Sequence, residues 1–242
     1  PDMKLKLMKG LLTAGALAVA AFIGQANAGV IGLALVVDGS GSISGSNWTL
    51  QMQGYKNAIN AAIPTDSTVA ISGTQFSSTA SVFQSMTTVT GANKATIANT
   101  FSSQGQSGGL TCISCGIYSA FQDAMSSGLT FDKLIIDVST DGGWNVGHDP
   151  DGGPGTTGTA EWAVANGADV VNCLGVGGFA DCSFIHGTGA FSVASADFND
   201  FEKTLLAKIR RETGQNVPAP ATLGLLGLGL LALSLYRRRV TA

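Results

Sequence analysis

The sequence predicts an α/β domain: a doubly wound, mostly parallel sheet with one antiparallel edge strand and helices on both faces. Residues 30–37 are an uninterrupted apolar run, the pattern of a strand buried on both faces, as the centre of a parallel sheet is. A further apolar run at 134–136 and a strand-like stretch at 168–176 alternate with helix-length stretches, which gives strands covered by crossover helices. The polar Asp38-Gly39-Ser40-Gly41-Ser42 directly follows the first run. In open α/β sheets the carboxyl end of a strand is where neighbouring loops diverge and leave a ligand crevice.

The elements follow in order. Ser44 or Ser46 is placed to cap a helix whose Trp48, Met52, Tyr55, Ile59 and Ile63 recur at helical spacing. Residues 68–76 and 80–83 read as two strands joined by a serine-rich turn. Such a hairpin supplies the antiparallel edge, because parallel neighbours need a longer crossover. Residues 93–101 form a helix and 102–109 a loop. Cys112 and Cys115 open the next helix, with Ile117, Tyr118, Phe121 and Met125 as its expected buried face. A strand over 133–138 runs into the Asp141-Gly142-Gly143 turn and a long glycine-rich loop carrying His148, Asp149 and Asp151. The composition of Asp149-Pro150-Asp151-Gly152 is that of a turn, and no site is assigned to it. A helix over 161–165 stops at Asn166-Gly167, a strand covers 168–176, and 187–193 is expected to be one short last strand. Asp197 or Asn199 then caps a helix with Phe201, Leu205, Leu206 and Ile209 as its apolar face.

Both ends read as addresses rather than as fold. Lys4, Lys6 and Lys9 precede an apolar stretch at 11–23 and the small-residue site Ala26-Asn27-Ala28. That is a secretory signal peptide over 1–28, with Pro1-Asp2 expected to be an upstream remnant and Gly29 the mature start. Its apolar stretch falls short of the ~20 residues that span a bilayer. At the other end Val217-Pro218-Ala219-Pro220 leads into an apolar run at 221–236 and then Arg237, Arg238 and Arg239. A transmembrane helix stopped by cytoplasmic arginines is expected, which leaves the domain outside the cytoplasm. Pro-x-Pro, a short glycine-leucine helix and a terminal arginine cluster together resemble the PEP-CTERM sorting signal of Gram-negative bacteria. The resemblance implies an exosortase-type processing enzyme as a partner, although Ala219 stands where that signal usually has Glu; a plain tail anchor is the alternative. The expected division is therefore signal peptide 1–28, one domain 29–215 and sorting signal 216–242. With 12% charged residues and a pI near 5.2, the chain offers nucleic acid no basic surface.

The four cysteines leave several readings open: a redox pair, half a zinc site, or structural bridges. Zinc needs two more ligands nearby, and no second Cys-x-x-Cys or close histidine pair exists. An oxidising compartment favours disulfides, and proximity in sequence suggests Cys112–Cys115 and Cys173–Cys182 among the possible connectivities. Gly105-Gln106-Ser107-Gly108-Gly109 matches the Gly-x-Ser-x-Gly of a hydrolase nucleophile elbow, with His148 and His186 as the two histidines available. That elbow needs a strand before the serine, whereas the residues before Ser107 are polar and helix-like. A loop is the better reading, and a binding module rather than an enzyme.

One carboxylate and two hydroxyls on alternate residues at Asp38, Ser40 and Ser42 form a set of hard oxygen donors that suits Mg²⁺. Together with Gly108-Gly109-Leu110-Thr111 before a helix and Val138-Ser139-Thr140-Asp141-Gly142 after a strand, this resembles the metal-ion-dependent adhesion site of von Willebrand factor type A (vWA) domains. The pattern can be laid over 29–213. The stretches at 136–142, 187–191 and 208–212 look like a subfamily of secreted bacterial A-domain proteins, a label that supplies a fold and a metal site but no ligand. The resemblance implies a vWA fold with Mg²⁺, or Mn²⁺ or Ca²⁺, held by Asp38, Ser40, Ser42, Thr111 and Asp141, and no catalytic residues. Few directly bound carboxylates leave the ion electrophilic, so an acidic group on an extracellular protein or polysaccharide is the expected ligand. The alternative is a structural component of surface polysaccharide or biofilm matrix in which the metal only stabilises the loops.

Overall fold

The computed structural model describes residues 29–215; the signal peptide and the transmembrane sorting tail expected above lie outside them. Among the described residues no helix is long and apolar enough to cross a membrane. Seven strands form one sheet in the order β3-β2-β1-β4-β5-β6, with β7 also on β5. The strands are β1 (Ile31–Asp38), β2 (Asp66–Phe76), β3 (Ala80–Thr90), β4 (Lys133–Thr140), β5 (Val170–Val176), β6 (His186–Gly187) and β7 (Ser192–Ser195). Central β1 pairs in parallel with β2 on one side and β4 on the other, as its unbroken apolarity requires. β3 closes the edge antiparallel to β2. The architecture is the expected doubly wound, mostly parallel sheet with an antiparallel edge.

Alternate residues of β1 send side chains to opposite faces, and each face has its own core. Leu33, Leu35 and Val37 pack under α1 (Gly45–Ala62), α2 (Lys94–Ser103) and α5 (Phe201–Glu212). Ala34 and Val36 pack under α3 (Ile113–Ser126) and α4 (Ala160–Ala165). Ser44 caps α1, its side chain accepting from Asn47 N at 3.3 Å. The α1 stripe seats Tyr55 between Phe101 of α2 and Phe201 of α5, at centroid distances of 5.5 and 5.4 Å.

Four local expectations are corrected. β3 runs on to Thr90 rather than stopping at Phe83, continuing its ladder with β2 past a bulge. In α3 the buried face is Ile113, Ile117, Ala120, Phe121 and Ala124. Tyr118 and Met125 are 42% and 53% exposed; they sit one step round the helix, where Tyr118 leans on the Trp162 ring. The expected strand over 187–193 is two strands, β6 antiparallel and β7 parallel to β5. Gly187 and Gly189 have positive φ, and Ala190 N bonds back to Gly187 O, so the chain turns where one strand was expected. Finally, Asp197 ties the loop before α5, accepting from the amides of Asn199 and Asp200, while the cap position is Asp200.

Candidate metal centre

Asp38 is the last residue of β1 and Thr140 the last of the adjacent β4, so both present their side chains at the carboxyl edge between two parallel strands. Asp38 is fully buried. Its Oδ1 accepts from Ser40 N at 2.8 Å and its Oδ2 from the Thr140 hydroxyl at 2.7 Å. That hydroxyl also lies 2.9 Å from Gly142 O. Its single proton serves the carboxylate, the stronger acceptor. Ser40 Oγ and Ser42 Oγ are 2.9 Å apart, and Ser42 donates to Asp141 Oδ1 at 2.6 Å. Asp38, Ser40, Ser42 and Asp141 thus form one connected set.

Thr111 is brought in by backbone. Gly41 N bonds to Gly109 O and Gly108 N to Gly39 O, both at 2.9 Å, zipping the two glycine-containing loops together. The approach is close enough that a Cβ on Gly41 would stand 3.2 Å from Gly109 O, and Gly109 itself has φ +93°. Thr111 is buried; its amide donates to Asn145 Oδ1 at 2.8 Å and its carbonyl accepts from Asn145 N at 3.0 Å. All five residues read from the sequence therefore lie on three loops tied to one another.

Several supporting residues escaped sequence reasoning. Gln51 Nε2 holds the Asp38 carbonyl. Gln106 Nε2 bridges the carbonyls of Ser40 and Ile43. Gln75 clamps the loop over Gly39 by bonding Gly105 O and Ser107 N. Each is a glutamine whose partner is a backbone group made available only by the fold. Thr140 carried a signal, since it ends β4 and directly precedes Asp141 in the quoted motif.

Burial holds the Asp38 carboxyl above its ordinary value of 3.8; hydrogen bonds from Ser40 and Thr140 oppose this, and Asp141 adds to it. Among the described residues the ion pairs are both made by Lys208, so neither Asp38 nor Asp141 has a basic side chain beside it. Two acids, one buried, joined through Ser40 and Ser42, with Thr111 on the adjoining loop, are a donor set that a hard divalent cation fits. No group of three or more His, Cys, Asp or Glu that could hold a metal occurs among the described residues; a centre built mainly from hydroxyls contains too few of them to form one.

Elsewhere the structure decides between open readings. Both expected disulfides are present, Cys112–Cys115 and Cys173–Cys182, and no described cysteine is free. Ser107 follows α2 in a loop and not a strand, so the context a nucleophile elbow needs is missing there.

Similar solved structures share this fold. Proximal thread matrix protein 1 from the mussel byssus, solved with a zinc-occupied MIDAS motif, superposes with a TM-score of 0.58 at 17% identity over 76% of this chain and 46% of that one. A von Willebrand factor type A protein from Catenulispora acidiphila gives 0.61 at 13% identity over 77% and 43%. The pilus adhesin SpaC from Lactobacillus rhamnosus GG gives 0.59 at 17% over 78% and 31%. The chain thus spans less than half the length of each. Among curated proteins none is similar enough in sequence to match. The PEP-CTERM protein-sorting motif matches residues 216–239, which marks an exported, cell-surface or extracellular protein. A family model described as a protein of unknown function, DUF1194, matches residues 30–217, and the chain belongs to that family, with a vWA-like fold and a PEP-CTERM signal.

Proposed function

We propose that the domain over 29–215 is a surface or matrix binding module that captures its partner through a divalent ion held by Asp38, Ser40, Ser42, Thr111 and Asp141. The observation that carries this is the buried Asp38 carboxyl linked to Asp141 through Ser40 and the hydroxyls of Ser40 and Ser42, with no basic side chain at hand. When bound, Mg²⁺, Mn²⁺ or a like ion supplies an electrophilic centre. Asp38 offers the buried anionic oxygen, held in place by Ser40 N and Thr140; Ser40, Ser42 and Thr111 offer neutral oxygens; Asp141 sits at the exposed end. Partner capture is further supported by the surroundings. Leu110, Trp144 and Phe179 are exposed on loops joined by the Thr111–Asn145 and Asp181–Gly142 bonds, and large apolar residues of this kind are enriched at binding surfaces. The ligand is an acidic group on an extracellular protein or polysaccharide. The sorting tail is removed by an exosortase-type enzyme after it has held the chain in the membrane.

A matrix role with a purely structural ion is the second reading, and the likeness to a byssus matrix protein favours it. Capture from the native cell surface, with and without EDTA and with Asp38→Ala in parallel, separates the two. Partner recovery that disappears in both arms supports metal-bridged capture. Recovery unchanged by either leaves the structural role.

A further inference from the structure

A second polar cluster lies on the α1/α5 face of the sheet, inside the core and unused by the metal centre. Asp137 is in mid-β4, with Asn172 of β5 as its register partner. Lys208 of α5 reaches down to it: both side chains are essentially inaccessible, and Lys208 Nζ is in direct contact with Asp137 Oδ1. Glu212, one turn further along α5, places Oε1 2.6 Å from the same Nζ. Asn172 Nδ2 donates to that Oε1 at 2.8 Å, while Asn172 Oδ1 accepts from Phe191 N. The Phe191 ring covers the amine at 5.3 Å from its centroid. Two buried oxygens, Asp137 Oδ2 and Glu212 Oε2, have no hydrogen-bond partner.

As separate ions, two acids and one amine in a dry core are an expensive arrangement. Each ion loses its hydration, and attraction repays the loss only where all its hydrogen bonds are made. Here two carboxylate oxygens go without.

We propose that Lys208 and Asp137 are joined by an intramolecular isopeptide bond, with Glu212 as the proton carrier that forms it. The proton on Nζ passes through Glu212 to Asp137, so the reacting pair is a neutral amine and a neutral carboxylic acid. The Nζ lone pair attacks Asp137 Cγ, forming the C–N bond and a tetrahedral carbon that carries one hydroxyl, one oxyanion and a positively charged NH2 nitrogen. Glu212 then moves a second proton from nitrogen to the departing oxygen, the C–O bond breaks and water leaves. The sum is ammonium plus carboxylate giving amide plus water, with no oxidant or other reactant. Burial, with the neighbouring Glu212 next in weight and Lys208 opposing, pushes the Asp137 carboxyl well above 3.8, favouring the neutral electrophile. Fixed neighbours of this kind reach effective concentrations of about 10⁵–10⁸ M, and the closed core keeps water from reversing the step.

The position gives the bond a purpose. α5 ends at Glu212, and the sorting motif starts at 216, so tension on the chain while its tail is held in the membrane, before processing, enters the domain through this helix. A covalent link to β4 passes that tension to an interior strand instead of peeling α5 away.

The test is peptide mapping of the full chain, exported, purified, reduced and digested with trypsin and chymotrypsin. The expected result is a branched species containing Asp137 and Lys208, lighter than its two peptides by one water, with Lys208 resistant to trypsin. Lys208→Arg, which keeps the charge but cannot form the amide, and Glu212→Gln should both yield separate peptides. Folded wild-type protein giving separate peptides with a free Lys208 amine would overturn the bond. A branched species persisting in Glu212→Gln would overturn the role of Glu212. If Lys208→Arg fails to fold, the wild-type and Glu212→Gln maps decide alone.

Discussion

Replacing Asp38 by Asn separates the charge of the candidate centre from its shape. Asn keeps an Oδ1 to accept from Ser40 N, and the Thr140 hydroxyl, losing its carboxylate, has Gly142 O at 2.9 Å to fall back on. What disappears is a buried negative charge facing Asp141. The folded carboxyl lies above 3.8, chiefly because burial disfavours its charged form. Its favourable contribution to stability is therefore complete below 3.8 and is lost as pH rises through the folded value. Near neutral pH the metal-free wild type carries that loss and the Asn variant does not, so the metal-free variant should melt at or above wild type, the difference closing as pH falls towards 3.8. With Mg²⁺ the order reverses. At an ion concentration about 100 times Kd, binding only the folded state adds about 2.7 kcal/mol. For a domain of this size about 2–4 °C of Tm accompanies each kcal/mol, so the wild type should rise by about 5–11 °C and the variant should not. Scanning calorimetry with Mg²⁺ and with EDTA, backed by titration calorimetry, reads both effects. A variant that keeps the Mg²⁺ shift, or whose metal-free form melts several degrees below wild type, would show that Asp38 is only a structural acceptor.

Three further outcomes are expected. Thr140→Val removes the hydroxyl that orients Asp38 Oδ2, and loss of such a supporting contact should weaken Mg²⁺ binding by about 10–100-fold, as titration calorimetry would show; unchanged affinity would dismiss Thr140 from the centre. Gly109→Ala puts a side chain at φ +93° with its Cβ 2.6 Å from Ser78 Oγ, and should cost about 1–3 kcal/mol in denaturant unfolding; a neutral result would mean the loop relaxes freely. Mature protein should lack the residues from about Leu223 onward, and replacing Arg237, Arg238 and Arg239 together should disturb processing or orientation; an intact mass that still includes Ala242 would identify a permanent anchor.

Much of this protein was legible in one dimension because its signals are local. The apolarity of β1 implies a strand with neighbours on both sides, and the residues at the ends of β1 and β4 carry the oxygens of the centre within a few positions of each strand. The two disulfides close loops short enough for sequence proximity to suggest the right pairs, and the sorting motif is likewise contiguous. Misreadings arose where several weak cues competed. Met125 has the right residue type for a helix core but stands one step off the buried stripe, and the glycines at 187 and 189 break what composition alone reads as a strand.

By itself, then, the sequence determined the strand order's buried centre, the C-terminal sorting signal, and the identity of the candidate ligands, all of which depend on neighbours along the chain. Only the tertiary structure decided that Thr140 holds Asp38, that Gln51, Gln75 and Gln106 pin the loops, and that Lys208 and Glu212 meet Asp137 beneath them. Those partners are 13 to 102 positions apart in three of these contacts. No pattern in the chain marks a polar side chain for a distant partner until packing of α1 and α5 on the sheet removes water and leaves that partner as its remaining source of hydrogen bonds.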